Sequence, residues 1–283
     1  MHLFWKFGVI LTSLFVLLAC QTIEQTSYNT ELTRQTYPSF DGQDLSYIER
    51  GEGPVLLLLH GFSSSAEQNF VETGIVDAFS DAGYRVIAPD MRGHGQSQVR
   101  DAPEGWPRDA AARDQIALMT HLETSPHSVI GYSYGALTAI RYHLLTRDEA
   151  YLILGGIGDV AADEMNTERN DAFRRALDQL AAGEDTPGAK LFAARIAATD
   201  GTVAGLRGAL SSRLYTEADV LATFDVPALV MTGDQDLANG SGKALAKIIP
   251  GAEYRQLKGT HLSAVIDPNF VRNSLDFIRL DHP

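Results

Sequence analysis

Short runs of wholly apolar residues, each halting at a polar loop, constrain this chain more than any other feature. Residues 55–59 read V-L-L-L-L, 85–88 read R-V-I-A, and 128–130 read S-V-I. Residues 151–154 read Y-L-I-L, 227–231 read P-A-L-V-M, and 252–257 offer a last candidate. Runs this short and this apolar suit strands buried on both faces. Helix candidates lie between them. Residues 109–123 set Ala112, Ile116, Met119 and Leu122 at helical spacing, while 136–146, 241–249 and 268–280 fill later gaps. Strand and helix in alternation predict an α/β fold with a mostly parallel, doubly wound sheet. The alternation lapses over 156–222, where only Ala-rich helical stretches occur. A usual connection is ~4–6 residues, so this span predicts an inserted helical cap, with the core in 38–155 and 223–283.

Composition narrows the partners. Against 23 Lys and Arg stand 36 Asp and Glu, a formal net charge of -13. Nucleic acid is excluded as an expected partner, because binding it needs clustered cations to displace counterions. Electrostatic docking on anionic lipid is disfavoured for the same reason.

The first 37 residues have a different character. Lys6 precedes an apolar stretch over residues 7–19, shorter than the ~20 a spanning helix needs. A short basic start, an apolar run and a small residue before the break predict an export signal over residues 1–19. Residues 20–37 are polar, Thr-rich and without period, as in a tether. Cys20 is the only cysteine, so no intramolecular disulfide can form. The sequence L-L-A-C ending at Cys20 resembles the lipobox of bacterial lipoproteins. That resemblance implies a mature chain beginning at Cys20 and held at a bacterial membrane through an N-terminal lipid. Gln21, where inner-membrane members often carry Asp, favours the outer membrane.

In an open parallel sheet, ligands bind beyond the carboxyl ends of the strands. The residues following each apolar run should therefore converge. They are His60-Gly61-Phe62, then residues 90–97 (D-M-R-G-H-G-Q-S), then Ser133, then Gly233-Asp234-Gln235-Asp236, and last Gly259-Thr260-His261. A serine, an acid and a histidine on successive strand-end loops supply a nucleophile, an orienting carboxylate and a base. His121, His127 and His143 fall on helix or strand-entry positions instead.

Residues 131–135, G-Y-S-Y-G, lie between a strand candidate and a helix candidate. They resemble the nucleophile elbow of the α/β-hydrolase superfamily, and the resemblance extends over nearly everything from residue 38 onward. It implies Ser133 as nucleophile, His261 as general base and Asp236 as the orienting acid, three residues after a strand-end Gly. Asp234 competes for that last role, with a turn-forming use as its alternative. The same likeness implies an oxyanion hole from the amides of Phe62 and Tyr134. Arg92 and His94 read as structural members of the 90–97 loop.

A Ser elbow separates the chain from Asp-elbow dehalogenases and epoxide hydrolases, which form an alkyl-ester intermediate. Hydrolysis of a small carboxylic ester is the expected reaction, since an ester needs the least help with its leaving group. Thioester, lactone, amide or carbon–carbon cleavage and perhydrolysis stay open, as does a non-catalytic envelope-binding module on the same fold. Between residues 156 and 222, Met165, Phe173, Leu177, Phe192, Leu206 and Tyr215 stand among many charges and alanines, with little aromatic surface, which favours small esters over bulk lipid. There is no H-x-x-x-H or Cys/His cluster and no phosphate-binding Gly loop, so neither metal nor cofactor is expected.

Overall fold

The computed structural model describes residues 31–97, 106–162, 167–212 and 215–278. Lys6, Cys20, Gln21 and Met165, and with them the signal and lipid-anchor expectations, lie outside the described residues. Among the described residues eight strands form one sheet. They are β1 (Thr33–Pro38), β2 (Asp44–Arg50), β3 (Val55–Leu59), β4 (Arg85–Pro89), β5 (Ser128–Tyr132), β6 (Tyr151–Gly155), β7 (Ala228–Gly233) and β8 (Glu253–Leu257). Their order across the sheet is β1-β2-β4-β3-β5-β6-β7-β8. β2 pairs antiparallel with both neighbours, and every other pairing is parallel.

Period-two alternation decides what each face of the sheet receives. Leu57 and Leu59 of β3, Val129 of β5 and Leu154 of β6 face one cluster. Leu56, Leu58, Ile130 and Ile153 face the other. Both faces are covered, so every residue of β3 and β5 is buried. Each such leucine, moved from water to this interior, contributes about 1.5–3 kcal/mol.

Helix α1 (Ile75–Asp81) supplies Phe79 to the second face. Helices α2 (Ala110–His121) and α3 (Tyr134–Thr146) supply Leu118, Met119 and Ile140 to the first. Between β6 and β7 lie α4 (Thr167–Ala181), α5 (Pro187–Thr199), α6 (Val203–Ser211) and the short α7 (Ala218–Leu221). Leu177, Phe192 and Leu206 of this insert form a small apolar cluster of their own, which Phe62 of the core joins. Thr186 and Thr202 cap α5 and α6, each accepting from an amide in the first turn. Helix α8 (Gly242–Ile248) returns to the first face, and α9 (Pro268–Phe277) closes the second with Phe270. Among the described residues no helix is long and apolar enough to cross a membrane.

Three elements depart from the sequence reading. The first strand starts at Thr33, inside the stretch read as tether. Its alternation is masked because only Tyr37 is deeply buried, so the run shows no apolar signature. Arg34 nonetheless fixes it to the core, donating to Asp90 Oδ2 at 2.8 Å, to Ser46 Oγ at 3.1 Å and to Glu67 Oε2 at 3.1 Å. β2 and α1 were also unforeseen: the buried run of β2 is broken by Ser46, and α1 is only seven residues long.

A second cation is wholly interior. Arg92 spans Asp114, at 2.8 and 2.5 Å, and Asp41, at 2.7 and 3.2 Å, and its guanidinium lies 4.8 Å from the Phe40 ring centre. Ser39 donates its hydroxyl to the same Asp114. The sequence reading of Arg92 as structural matches this geometry. Burial alone pushes the Asp41 carboxyl up, but its hydrogen bonds, first from Arg92, hold it down at about 2. Stability drawn from Asp41 is therefore present above the usual carboxylate value and lost as pH falls toward 2.

Breaking one side of this pair leaves a buried charge uncompensated. Arg92→Met and Asp114→Ala should each cost about 3–5 kcal/mol in urea unfolding at pH 7. Asp41→Asn, on the more exposed partner, should cost less than either.

Candidate active site

Strand β5 turns into α3 at Ser133, whose φ of 55° and ψ of −113° no ordinary L residue favours. Such a turn requires two main chains to touch. A Cβ on Gly135 would lie 1.9 Å from the Leu59 carbonyl oxygen, and one on Gly131 would lie 2.3 Å from that of Gly135. Only glycine fits at either place. The Ser133 amide donates to the Gly155 carbonyl at 2.8 Å, tying the apex to β6.

The apex meets two loops. His261 Nε2 lies 2.9 Å from Ser133 Oγ, and His261 Nδ1 lies 2.8 Å from Asp236 Oδ2. Asp236 is 5% exposed, while the His261 ring reaches the cavity. Asp236 Oδ1 accepts from Asn239 Nδ2 at 2.6 Å, and the same nitrogen lies 2.8 Å from His261 Nδ1. With Nδ1 protonated toward Asp236, the Asn239 amide donates to the carboxylate rather than to the ring. Nε2 is then the acceptor facing the serine hydroxyl.

Asp234 takes a different position. It accepts from the Gly259 amide at 2.9 Å and from Lys258 Nζ at 3.0 Å, and these contacts, the Gly259 amide first, hold its carboxyl below the usual range. Asp234 thereby clips the loop after β7 to the loop after β8, two residues before His261. The Tyr132 hydroxyl donates to the His261 carbonyl at 2.6 Å, a second clip on the same loop.

Gly61 brings the loop after β3 beside the apex, where a Cβ built on it would stand 3.7 Å from that of Ser133. Its amide is held by Asn69 Oδ1 at 2.9 Å. Phe62 follows, stacked on Phe173 of α4 with ring centres 5.8 Å apart. Tyr134 is the first residue of α3, so its amide is among the donors a helix leaves without an internal partner. Tyr134 directly follows the serine, and Phe62 lines the cavity that the serine faces. The cavity above them measures about 440 Å³, within the range of small-molecule pockets. Phe62, Phe173, Leu262, Val265 and Ile266 give it apolar walls, and Ser63, Gln68, Asn69 and Arg195 give it polar ones.

His60 and His94 lie behind this cavity, with ring centres 5.2 Å apart. Burial depresses both, His94 to about 3, with the neighbouring His60 adding to the effect. Neither faces Ser133. His60 Nε2 accepts from the Met91 amide at 2.9 Å, which makes it a brace for the 90–97 loop. Among the described residues, no group of three or more His, Cys, Asp or Glu side chains could hold a metal ion.

Sequence reasoning did not single out Asn239, Tyr132 or Arg195. Asn239 sits in an ordinary polar turn, and Arg195 is one charge on an Ala-rich helix. Nothing local marks either, because each acquires its neighbours only when distant loops meet.

Comparison with known proteins bears on most of the chain. A family model described as alpha/beta hydrolase fold matches residues 54–151. A non-heme chloroperoxidase from Kitasatospora aureofaciens is 28% identical over 273 residues, covering 84% of this chain and 97% of its own length. Among solved structures, an esterase from Exiguobacterium antarcticum superposes with a TM-score of 0.71 at 19% identity, over 86% of this chain and 98% of that one. An esterase from a Rhodococcus species is 26% identical with a TM-score of 0.63, over 87% and 98%. The fold is the α/β-hydrolase fold.

The depressed histidines have a pH signature. A histidine buried neutral contributes stability that is present above its unfolded pKa of ~6.5 and lost as pH falls toward the folded value. The melting temperature should therefore fall on acidification from pH 7 to pH 4. His94→Gln should flatten that dependence, and an unchanged slope would count against the assignment.

Proposed function

We propose that this chain, an enzyme of the α/β-hydrolase fold, cleaves small carboxylic esters through an acyl-enzyme on Ser133. The observation that carries the reading is the continuous row from Ser133 Oγ through the His261 ring to Asp236, at 2.9 and 2.8 Å, opening on the cavity.

In this reading His261 Nε2 takes the Ser133 proton as Oγ attacks the ester carbonyl. Asp236 holds the imidazole in the tautomer with Nδ1 protonated and stabilises the imidazolium. The Phe62 and Tyr134 amides receive the negative charge that develops on the carbonyl oxygen. His261 then returns the proton to the leaving alcohol. Water, deprotonated by the same ring, releases the acid. Asp234 acts as the clip described above and takes no part in proton transfer.

Perhydrolysis is a second reading, supported by the chloroperoxidase relative. In it hydrogen peroxide replaces water in the last step and a peracid leaves.

The envelope location rests on the sequence alone. Lys6, the apolar run, Ala19 and Cys20 support a lipid on Cys20 and an outer-membrane address. Incorporation of labelled palmitate should be lost in Cys20→Ala.

Fluorophosphonate should label Ser133 in residues 22–283, and Ser133→Ala should abolish both labelling and p-nitrophenyl ester turnover. Asp236→Ala should lower kcat by about 10³–10⁴-fold, whereas Asp234→Ala should cost about 10-fold or less. A folded protein that neither labels nor turns over any ester would move the non-catalytic binding module to the front. Peracid formation from an ester and hydrogen peroxide, exceeding hydrolysis, would favour the second reading.

A further inference from the structure

We propose that Asn69, with Gln68 beside it, binds an oxygen carried on the acyl chain of the substrate, so that the preferred esters are those of short alkoxy-, hydroxy- or oxo-acids. The inference rests on the ester-hydrolase reading and adds to it the substitution of the acyl group.

Three observations converge on Asn69. First, it is only 8% exposed, yet it lines the cavity together with Ser133. Its Oδ1 accepts from the Gly61 amide at 2.9 Å, which settles the two ends of the side-chain amide. Nδ2, the other end, has no hydrogen-bond partner in the protein and is not sealed from solvent. A polar group this deeply placed normally has a partner, and here the cavity is the side from which one can come.

Second, the surrounding hydroxyls are already engaged as donors. Ser64 donates to Gln68 Oε1 at 3.1 Å, and Thr73 donates to the Asn69 carbonyl at 2.9 Å. All four residues line the cavity. The side-chain N–H groups of Asn69 and Gln68 are therefore the donors that these four residues offer a ligand. Third, the backbone is a π turn over Glu67–Val71, closed by the Glu72 amide on the Glu67 carbonyl at 3.0 Å. Such turns recur at functional sites.

The nucleophile is close by. A Cβ built on Gly61 would stand 3.5 Å from Asn69 Oδ1 and 3.7 Å from the Ser133 Cβ. A hydrogen bond of ~3 Å from Nδ2 then reaches an atom about three or four positions along an acyl chain held on Ser133. A wholly apolar wall would favour a methylene at that position, by about 4-fold for one buried CH₂. Two uncharged amides reverse the preference toward oxygen.

Another use for Asn69 would be a brace that holds the loop of Gly61, without contact to substrate. A brace affects every acyl chain alike, whereas an oxygen-binding donor affects only the oxygenated one. Asn69→Asp separates the two, because it keeps an oxygen for the Gly61 amide and removes the N–H donor.

The test compares p-nitrophenyl 3-methoxypropanoate with p-nitrophenyl pentanoate, which differ by one oxygen in place of one methylene. Each kcat/KM is divided by the ester's rate in hydroxide alone, which removes intrinsic reactivity. The wild-type ratio, ether over alkyl, should exceed one. Asn69→Asp should lower it about 10-fold and Gln68→Met about 3-fold, as expected for lost hydrogen bonds. A wild-type ratio at or below one, or a ratio unchanged by Asn69→Asp, would overturn the proposal. Should Asn69→Asp not fold, the ratio in Gln68→Met decides in the same way. Saturation-transfer NMR of Ser133→Ala with methyl 3-methoxypropanoate and methyl pentanoate gives a second reading that needs no chemistry. If neither p-nitrophenyl ester is turned over, the hydrolase reading fails on its own. Binding of the ether that Asn69→Asp weakens would still support the oxygen site, and absent or unaltered binding would refute it.

Discussion

Two main chains in contact make the rest of this site possible. The start of α3 lies against the end of β3 so closely that no side chain fits on Gly135. That contact forces the strained backbone at Ser133 and lifts its hydroxyl clear of the sheet. Strain of this kind costs about 1–3 kcal/mol. It persists because the strands beneath are buried on both faces and cannot shift to relieve it. The apolar runs and the strained serine are thus one arrangement, since the core supplies the rigidity that the apex uses.

The opposite partner is held with similar redundancy. His261 arrives on a loop with little regular structure, and three separate bonds define its position. Asp236 fixes the ring, Tyr132 fixes the carbonyl, and Asp234 fixes the adjoining amide of Gly259. The Asp234 carboxylate and the Tyr132 phenol therefore hold the loop that carries His261, while Asp236 holds its ring. The two aspartates of the β7 loop divide the work, one facing the ring and the other facing the chain.

The sequence was most legible where burial is uniform. Residues 55–59 and 128–130 announce strands because both faces of the sheet are covered. β1 and β2 escape notice because β1 lies at the edge with only Tyr37 deeply buried, while the buried run of β2, Leu45 to Ile48, is interrupted by the polar Ser46. At the site, Ser133, His261 and Asp236 were readable from their places after apolar runs, and the structure brings them into one row. Asp236 was preferred to Asp234 on the resemblance alone, since both lie in one short loop with no regular period, and the meeting of two loops shows which faces the ring. Asn239, Tyr132 and Arg195 depend wholly on tertiary proximity. A lone charge on an Ala-rich helix looks like solvated surface until the helix is placed over a cavity.

Arg34 gives the molecule an unexpected mechanical property. The polypeptide enters the sheet through an edge strand, and just inside that entrance this arginine is paired with the nearly unexposed carboxylate of Asp90. Asp90 also accepts from the amides of Ala66 and Gln96, and Ala66 lies between cavity-lining Ser64 and Gln68. Tension on the residues before Thr33 therefore bears first on β1. If that strand peels away, a buried anion loses its counter-charge in the same event. An edge strand is usually the most expendable piece of a sheet, but here its loss would leave an interior charge unbalanced beside the site.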